Sequence, residues 1–281
     1  MYFGEQEMIS FLLALKKGVY ILLFLLFFQL FFIQLSFSED ITAKKIMQKV
    51  DARDDGDLLI CNMEMQLIDR HNNVRKRKMR MFSKDYGKDI YSLQFFLEPA
   101  DVKNTSFLSY DYDGDKDDDQ WLYLPALRKT KRIAVDDKTS SFMGSDFTYA
   151  DLTKIEIDNY HFKLLKEQTV RDQKAWLIEA IPKNNDIVKK YGYTKSVLFI
   201  RQDNYFVVRA VLWVHNSSKL KYMDVTSLKQ IDNIWTIEQI VMTTKKGKQT
   251  YHKTILNYSD IKYNQPLTDQ MFTVRRMEKG L

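Results

Sequence analysis

FFLEPADVKNTSFLSYDYDGDKDDDQWLYLPALRKTKRI, residues 95–133, followed closely by SFMGSDFTYADL, residues 141–152, decides how this chain is read. It has the pattern of two strands joined by a very acidic turn, with a short amphipathic segment behind them. In QWLYLP, Trp121 and Tyr123 face one way while Leu122 and Leu124 face the other, and all four are apolar. YFVVRAVLWV at 205–214 and SVLFI at 196–200 behave alike. An antiparallel strand with one wet face should alternate apolar with polar residues, so something must cover the second face here. Helices are few: one over 40–53, with Ala43, Ile46, Met47 and Val50 at helical spacing behind Asp40, a short one near Asp146–Lys154, and a last near Thr268–Met277. Three helices cannot coat a sheet of about ten strands, so either the sheet closes on itself or an apolar cavity remains beneath the helices. An ordinary packed β core would produce the same pattern.

Turn signals recur at DRHNN (69–73), Glu98-Pro99, the acidic run, RDQ at 171, QDN at 202, HNSS at 215, QIDN at 230 and KKGK at 245. Short strands at this spacing argue for a mainly β, antiparallel barrel or sandwich, and without a repeat or flexible linker they argue for one domain. The run from Asp111 to Asp119 invites a calcium reading, but its sixth position is Lys116 and its twelfth is Leu122, so it fails the EF-hand test. It reads as a solvated hairpin turn around Asp113-Gly114. The histidines at 71, 161, 215 and 252 show no metal-ligand spacing, and Met143-Gly144-Ser145-Asp146 lacks the glycines of a nucleophile elbow. No catalytic set, metal or cofactor is expected. Cys61 stands alone, so there is no internal disulfide.

Residues 1–38 have the layout of an export signal: Lys16 and Lys17, the apolar run GVYILLFLLFFQLFFIQL, then Ser36-Phe37-Ser38, which fits cleavage before Glu39. The apolar run is long enough to approach a membrane span, so an uncleaved anchor is the alternative. The 281 residues less a 38-residue leader leave 243, ample for one large β domain. Net charge is +6, a mild basic bias that suits an anionic lipid surface. The basic runs 75–80 and 128–132 read as charged strand ends or phosphate contacts, and behind an export leader they do not point to nucleic acid.

The stretch quoted first, together with IDRHNNVRKRKMRMF (68–82) and LTDQMFTVRRMEKG (267–280), resembles the LolA-like family of outer-membrane lipoprotein-sorting proteins. The resemblance covers most of the chain beyond residue 40. It implies a strongly curved, incomplete antiparallel β-barrel with helices covering its concave face, built from residues 39–281. It further implies a periplasmic, non-enzymatic monomer that carries lipoprotein acyl chains or another lipid in an apolar cavity toward the outer membrane. Its partners would be lipid or lipidated protein, an inner-membrane transporter and an outer-membrane acceptor. The alternative is an accessory subunit of a lipid exporter of the resistance-nodulation-division type. On this view Trp121, Tyr123, Phe95, Phe107, Met63, Met65 and Leu67 are expected on the cavity wall. Phe142, Met143, Phe147, Tyr149 and Leu152 form its lid, and Arg128, Lys129 and Arg132 meet a headgroup or partner.

Overall fold

The computed structural model describes residues 38–114 and 116–281, together with Gly4. The expected export leader, residues 1–38, lies outside the described residues apart from Gly4 and Ser38. A helix α1 (Ser38–Asp51) is followed by β1 (Leu58–Asp69), β2 (Val74–Tyr86), β3 (Asp89–Glu98), β4 (Ser106–Asp111), β5 (Asp119–Leu124) and β6 (Lys129–Arg132). Then come β7 (Tyr160–Val170), β8 (Gln173–Pro182), α2 (Asn185–Tyr191), β9 (Tyr193–Arg201), β10 (Val207–Val214), β11 (Lys219–Ile231), β12 (Ile234–Lys246), β13 (Gln249–Tyr263) and α3 (Val274–Lys279). All strands join one antiparallel sheet of 13, in the order β6-β5-β4-β3-β2-β1-β13-β12-β11-β10-β9-β8-β7. The sheet does not close, and its shape is that of a curved, incomplete barrel.

The topology is two meanders joined back to back through β1 and β13. β6 and β7 are consecutive in sequence yet form the two opposite edges. Residues 133–159 must therefore cross the sheet from edge to edge, and this crossing segment fills one face, called here the inner face. Strand alternation sends one set of side chains inward to it: Met63, Met65 and Leu67 of β1, Met79 of β2, Phe96 of β3, Phe107 of β4 and Leu122 of β5. They pack with Phe142, Phe147, Tyr149 and Ala150 of the crossing segment and with Ala43, Ile46 and Met47 of α1, which lies against β7. The other set faces outward on the β2–β5 half: Phe82, Leu93, Phe95 and Leu108, with Trp121 and Tyr123 beside them, all closed over by Phe272 and Met277 from the C-terminal turn and α3.

Two expected elements differ in form. The crossing segment is not a helix over 146–154. It is an irregular path with single 3₁₀ turns at Phe142–Gly144 and Ala150–Leu152. The terminal helix is split into a 3₁₀ turn at Asp269–Phe272 and α3. α2 was not anticipated, although its caps stand in the sequence. The Asn184 side chain accepts from the N–H groups of Asp186 and Ile187, and Gly192 ends the helix at φ 79°. A Cβ on Gly192 would come within 3.1 Å of Thr139, so glycine serves the close approach of the crossing segment as well as the helix end.

Candidate functional site: the groove beneath the crossing segment

An irregular segment laid over a sheet must find partners for its backbone polar groups. Here two carboxylates on the segment anchor it to the sheet. Asp146, almost fully buried, accepts hydrogen bonds from the hydroxyls of Thr244 on β12 (2.5 Å) and Thr254 on β13 (2.7 Å), and pairs with His252 Nδ1 at 2.6 Å. Its own N–H donates to Thr254 Oγ1 at 2.9 Å. Asp151 accepts from Tyr193 Oη of β9 at 2.8 and 2.9 Å, lies 3.5 Å from Lys221 Nζ of β11, and accepts from the Thr148 N–H at 2.8 Å. Burial pushes the Tyr193 phenol well above its ordinary range, and the Asp151 charge adds to this, so Tyr193 stays a donor. On the other half of the sheet Arg77 donates to the Met143 carbonyl and Gln120 Nε2 to the Tyr149 carbonyl at 3.0 Å.

Between these anchors the packing is incomplete. A cavity of about 210 Å³ lies beneath the segment, with Met63, Met65, Met81 and Leu256 on the sheet side and Phe142 and Phe147 above. Ser92, Gln94, Asp151, Leu152 and Tyr258 complete its lining. A second cavity of about 270 Å³ shares Met81, Ser92, Asp151 and Leu152 with it and continues toward Ser83, Ile90 and Ser109. Asp111, Thr153 and Lys154 complete the lining of the second cavity, and the shared wall makes the two one groove. Methionine suits such a place, because its unbranched, polarizable side chain adapts to occupants of varied shape.

Beyond the segment a wider, polar cleft of about 890 Å³ opens at the strand ends, lined among others by Arg70, His71, His215, Lys219, Tyr251 and His252. Three histidines that are scattered in sequence thus line one cleft. No group of three or more potential metal ligands occurs among the described residues. Cys61 is buried, and burial pushes its thiol up to about 12, which leaves it inert as a nucleophile.

Of the expected wall residues, Met63 and Met65 line the groove and Leu67 and Phe107 belong to the same inner core. Phe95, Trp121 and Tyr123 do not. They sit on the outer face, because Phe95 alternates with Gln94 and Trp121 with Leu122, and each strand has only two faces. Of the five residues expected in a lid, Phe142, Phe147 and Tyr149 are buried, and Met143 and Leu152 pack against the same core. Arg128 is exposed in a left-handed turn, Lys129 is exposed on β6, and Arg132 is paired with Asp119. The acidic run does turn between β4 and β5, but it is not uniformly wet. Asp118 is buried, its carboxylate 3.6 Å from Lys138 Nζ, and that buried ammonium also donates to the Asp118 carbonyl at 2.8 Å. The turn is thereby tied to the start of the crossing segment, a contact between residues 20 apart that local spacing does not reveal.

Comparison with known proteins places this architecture. A crystal structure from Vibrio parahaemolyticus, described as an outer-membrane lipoprotein-sorting protein domain, is 33% identical, with a TM-score of 0.77 over 85% of this chain and 99% of that one. A DUF1329 family protein from Desulfovibrio piger is 27% identical, with a TM-score of 0.78 over 85% of this chain and 99% of that one. A LolA superfamily protein from Nitrosomonas europaea shares the fold at 20% identity, with a TM-score of 0.62 over 83% of this chain and 98% of that one. No curated protein matches the chain significantly. A family model described as an uncharacterized protein matches residues 88–279, more than half of the sequence. By these matches the chain belongs to the LolA-like family of outer-membrane lipoprotein-sorting proteins.

Proposed function

We propose that this protein is a periplasmic carrier that holds lipoprotein acyl chains or another lipid in the groove beneath residues 133–159 and delivers them toward the outer membrane. The observation that carries the reading is the methionine-lined groove between the inner sheet face and Phe142, Phe147 and Leu152. Membership of a lipoprotein-sorting family supports it. An acyl chain of roughly 14 carbons gains on the order of 11 kcal/mol, at ~0.8 per methylene, by leaving water. It will not cross an aqueous compartment unaided at a useful rate, and an apolar groove under a segment that can lift supplies the path. Loading then requires a donor at the inner membrane and an acceptor with a better site at the outer one. The protein acts as a monomer without cofactor or chemistry of its own. Among the described residues no helix is long and apolar enough to cross a membrane.

The test is uptake of a fluorescent acyl probe by the purified protein and by two charged variants. Phe147→Asp, in the roof of the groove, should abolish uptake at a concentration of denaturant where the protein is still folded. Trp121→Glu, on the outer face, should lower stability while the folded fraction binds as the parent does. A parent that takes up no probe, or a folded Phe147→Asp that binds normally, overturns the reading.

A further inference from the structure

Three turns lie side by side where β1–β2, β12–β13 and β10–β11 reverse, because these six strands are neighbours in the sheet. They read RHNNVRK (70–76), KKGKQTY (245–251) and HNSSK (215–219), and together hold seven lysines and arginines and no carboxylate. The whole chain carries a net charge of +6, so its positive excess is gathered here and the remainder is close to balanced. Arg70, His215, Lys219 and Tyr251, at least one from each turn, line the polar cleft of about 890 Å³, which makes the three turns one continuous patch.

These cations are short of partners. Among the described residues only Lys76 of the seven lies near a carboxylate, Glu64 at 4.0 Å. Toward the opposite ends of the same strands Lys84 is paired with Asp269 at 2.7 Å and Lys229 with Glu238. Like charges held together without counter-ions repel one another, and an anionic partner relieves that repulsion. Apolar groups stand among them: Val74 is 49% and Tyr251 45% exposed, and the Lys219 and Lys245 ammonium groups lie 4.3 and 5.3 Å from the ring centres of Tyr251 and Tyr222. Lysine beside an aromatic ring suits a membrane–water interface, where the ring sits at headgroup level and the ammonium reaches phosphate.

We propose that these three turns form a docking surface for an anionic lipid bilayer. Ser141, Gly144 and Ser145 of the crossing segment line the same cleft, so docking holds the outer side of that segment beside the headgroups. The proposal goes beyond the carrier reading and does not depend on what the groove holds.

The test is sedimentation of the purified protein with vesicles of phosphatidylcholine alone and of phosphatidylcholine mixed equally with phosphatidylglycerol. The parent should bind the mixed vesicles and not the neutral ones, and binding should weaken as salt shortens the reach of the charges. A basic residue close to an anionic surface contributes roughly a fivefold factor in binding, so the exposed turn variant Arg75→Glu/Lys246→Glu/Lys248→Glu should bind at least about 100-fold less tightly. Lys166→Glu/Lys174→Glu/Lys262→Glu changes the net charge equally but lies away from the turns, and it should bind nearly as the parent does. A parent that ignores the mixed vesicles, or binds both kinds alike, overturns the proposal. So does a turn variant that binds as the parent does, or a control variant that loses as much as the turn variant. No acyl probe is used, so failure here leaves the carrier reading standing.

Discussion

The two faces of β2–β5 are built from the same strands and have opposite characters. Outward, Phe82 and Phe95 meet edge to face at 6.2 Å, Tyr91 stacks on Tyr110 at 4.0 Å, Tyr110 meets Trp121 at 5.0 Å, and α3 with Phe272 closes the cluster. Inward, the same strands offer methionine, serine and glutamine beneath a segment held by carboxylates, with a groove left open. Aromatic rings with locked geometry give stability on one side, and adaptable or small side chains give room on the other. Stability and binding are thus assigned to alternate residues of the same strands, a division that single substitutions can test.

The largest loss is expected outside the groove. Phe95→Ala should cost about 3–5 kcal/mol in chemical denaturation, since it removes a fully buried ring from the aromatic cluster. Its folded fraction should still take up acyl probe with the parent's affinity, and a parallel loss of affinity would mean that the faces are coupled. Asp146→Ala comes next, at roughly 2–3 kcal/mol, because it strips partners from buried Thr244 and Thr254 as well as removing a charged acceptor. Hydrogen exchange should rise chiefly in residues 140–152, and bound probe should leave faster.

A smaller effect is tied to pH. Burial, with Asp118 nearby adding to it and the Lys154 N–H opposing it, pushes the Asp111 carboxyl up to about 7. Well below about pH 4 this group is protonated in both folded and unfolded chains and costs nothing. As pH rises toward 7 the unfolded chain ionises first, so stability falls, and the full penalty is present above about 7. Asp111→Asn should therefore flatten the decline between about pH 4 and 7 and raise stability at pH 8 by on the order of 1–3 kcal/mol, measured by urea melts across pH. Asp85, which burial pushes up to about 6, will leave some slope in the same direction.

The smallest change in stability should accompany a large change in binding. Ser92→Leu places a side chain into space shared by both cavities, so its melting should stay within about 1 kcal/mol of the parent. Probe affinity should fall at least about tenfold, as the space is taken. If binding survives, the groove is not where the chain lies.

Much of this was legible in the residues. The strands on either side of the acidic turn, the apolar character of both faces and the shortage of helix all follow from period-two alternation, and they led to a covered sheet with space beneath the cover. Alternation is symmetric, however. It states that Trp121 and Leu122 point opposite ways and leaves open which of them points inward, so Phe95, Trp121 and Tyr123 were expected in the wrong compartment. The crossing segment is expected to hold a short helix near Asp146–Lys154. Its true path depends on hydrogen bonds that Asp146 and Asp151 accept from strands about 40 to 110 residues away, which no local window contains. The burial of Asp118 was hidden for the same reason, since its partner Lys138 lies beyond β6.

The pairing of β1 with β13 also sets the order in which the protein can assemble. Met63 meets Tyr258 and Leu67 meets Thr254, so the first strand in sequence and the last are neighbours at the middle of the sheet. Until the final strand emerges, β1 offers a long unpaired edge carrying Met63, Met65 and Leu67, the kind of edge that recruits other chains. Contacts this distant in sequence form slowly. Leu256 on β13 lines the groove, so its wall is completed only when the last strand docks. A partly made or misassembled chain accordingly has no finished site with which to capture cargo, and agents that shield strand edges should raise its yield during refolding more than they would for a sheet closed by local hairpins.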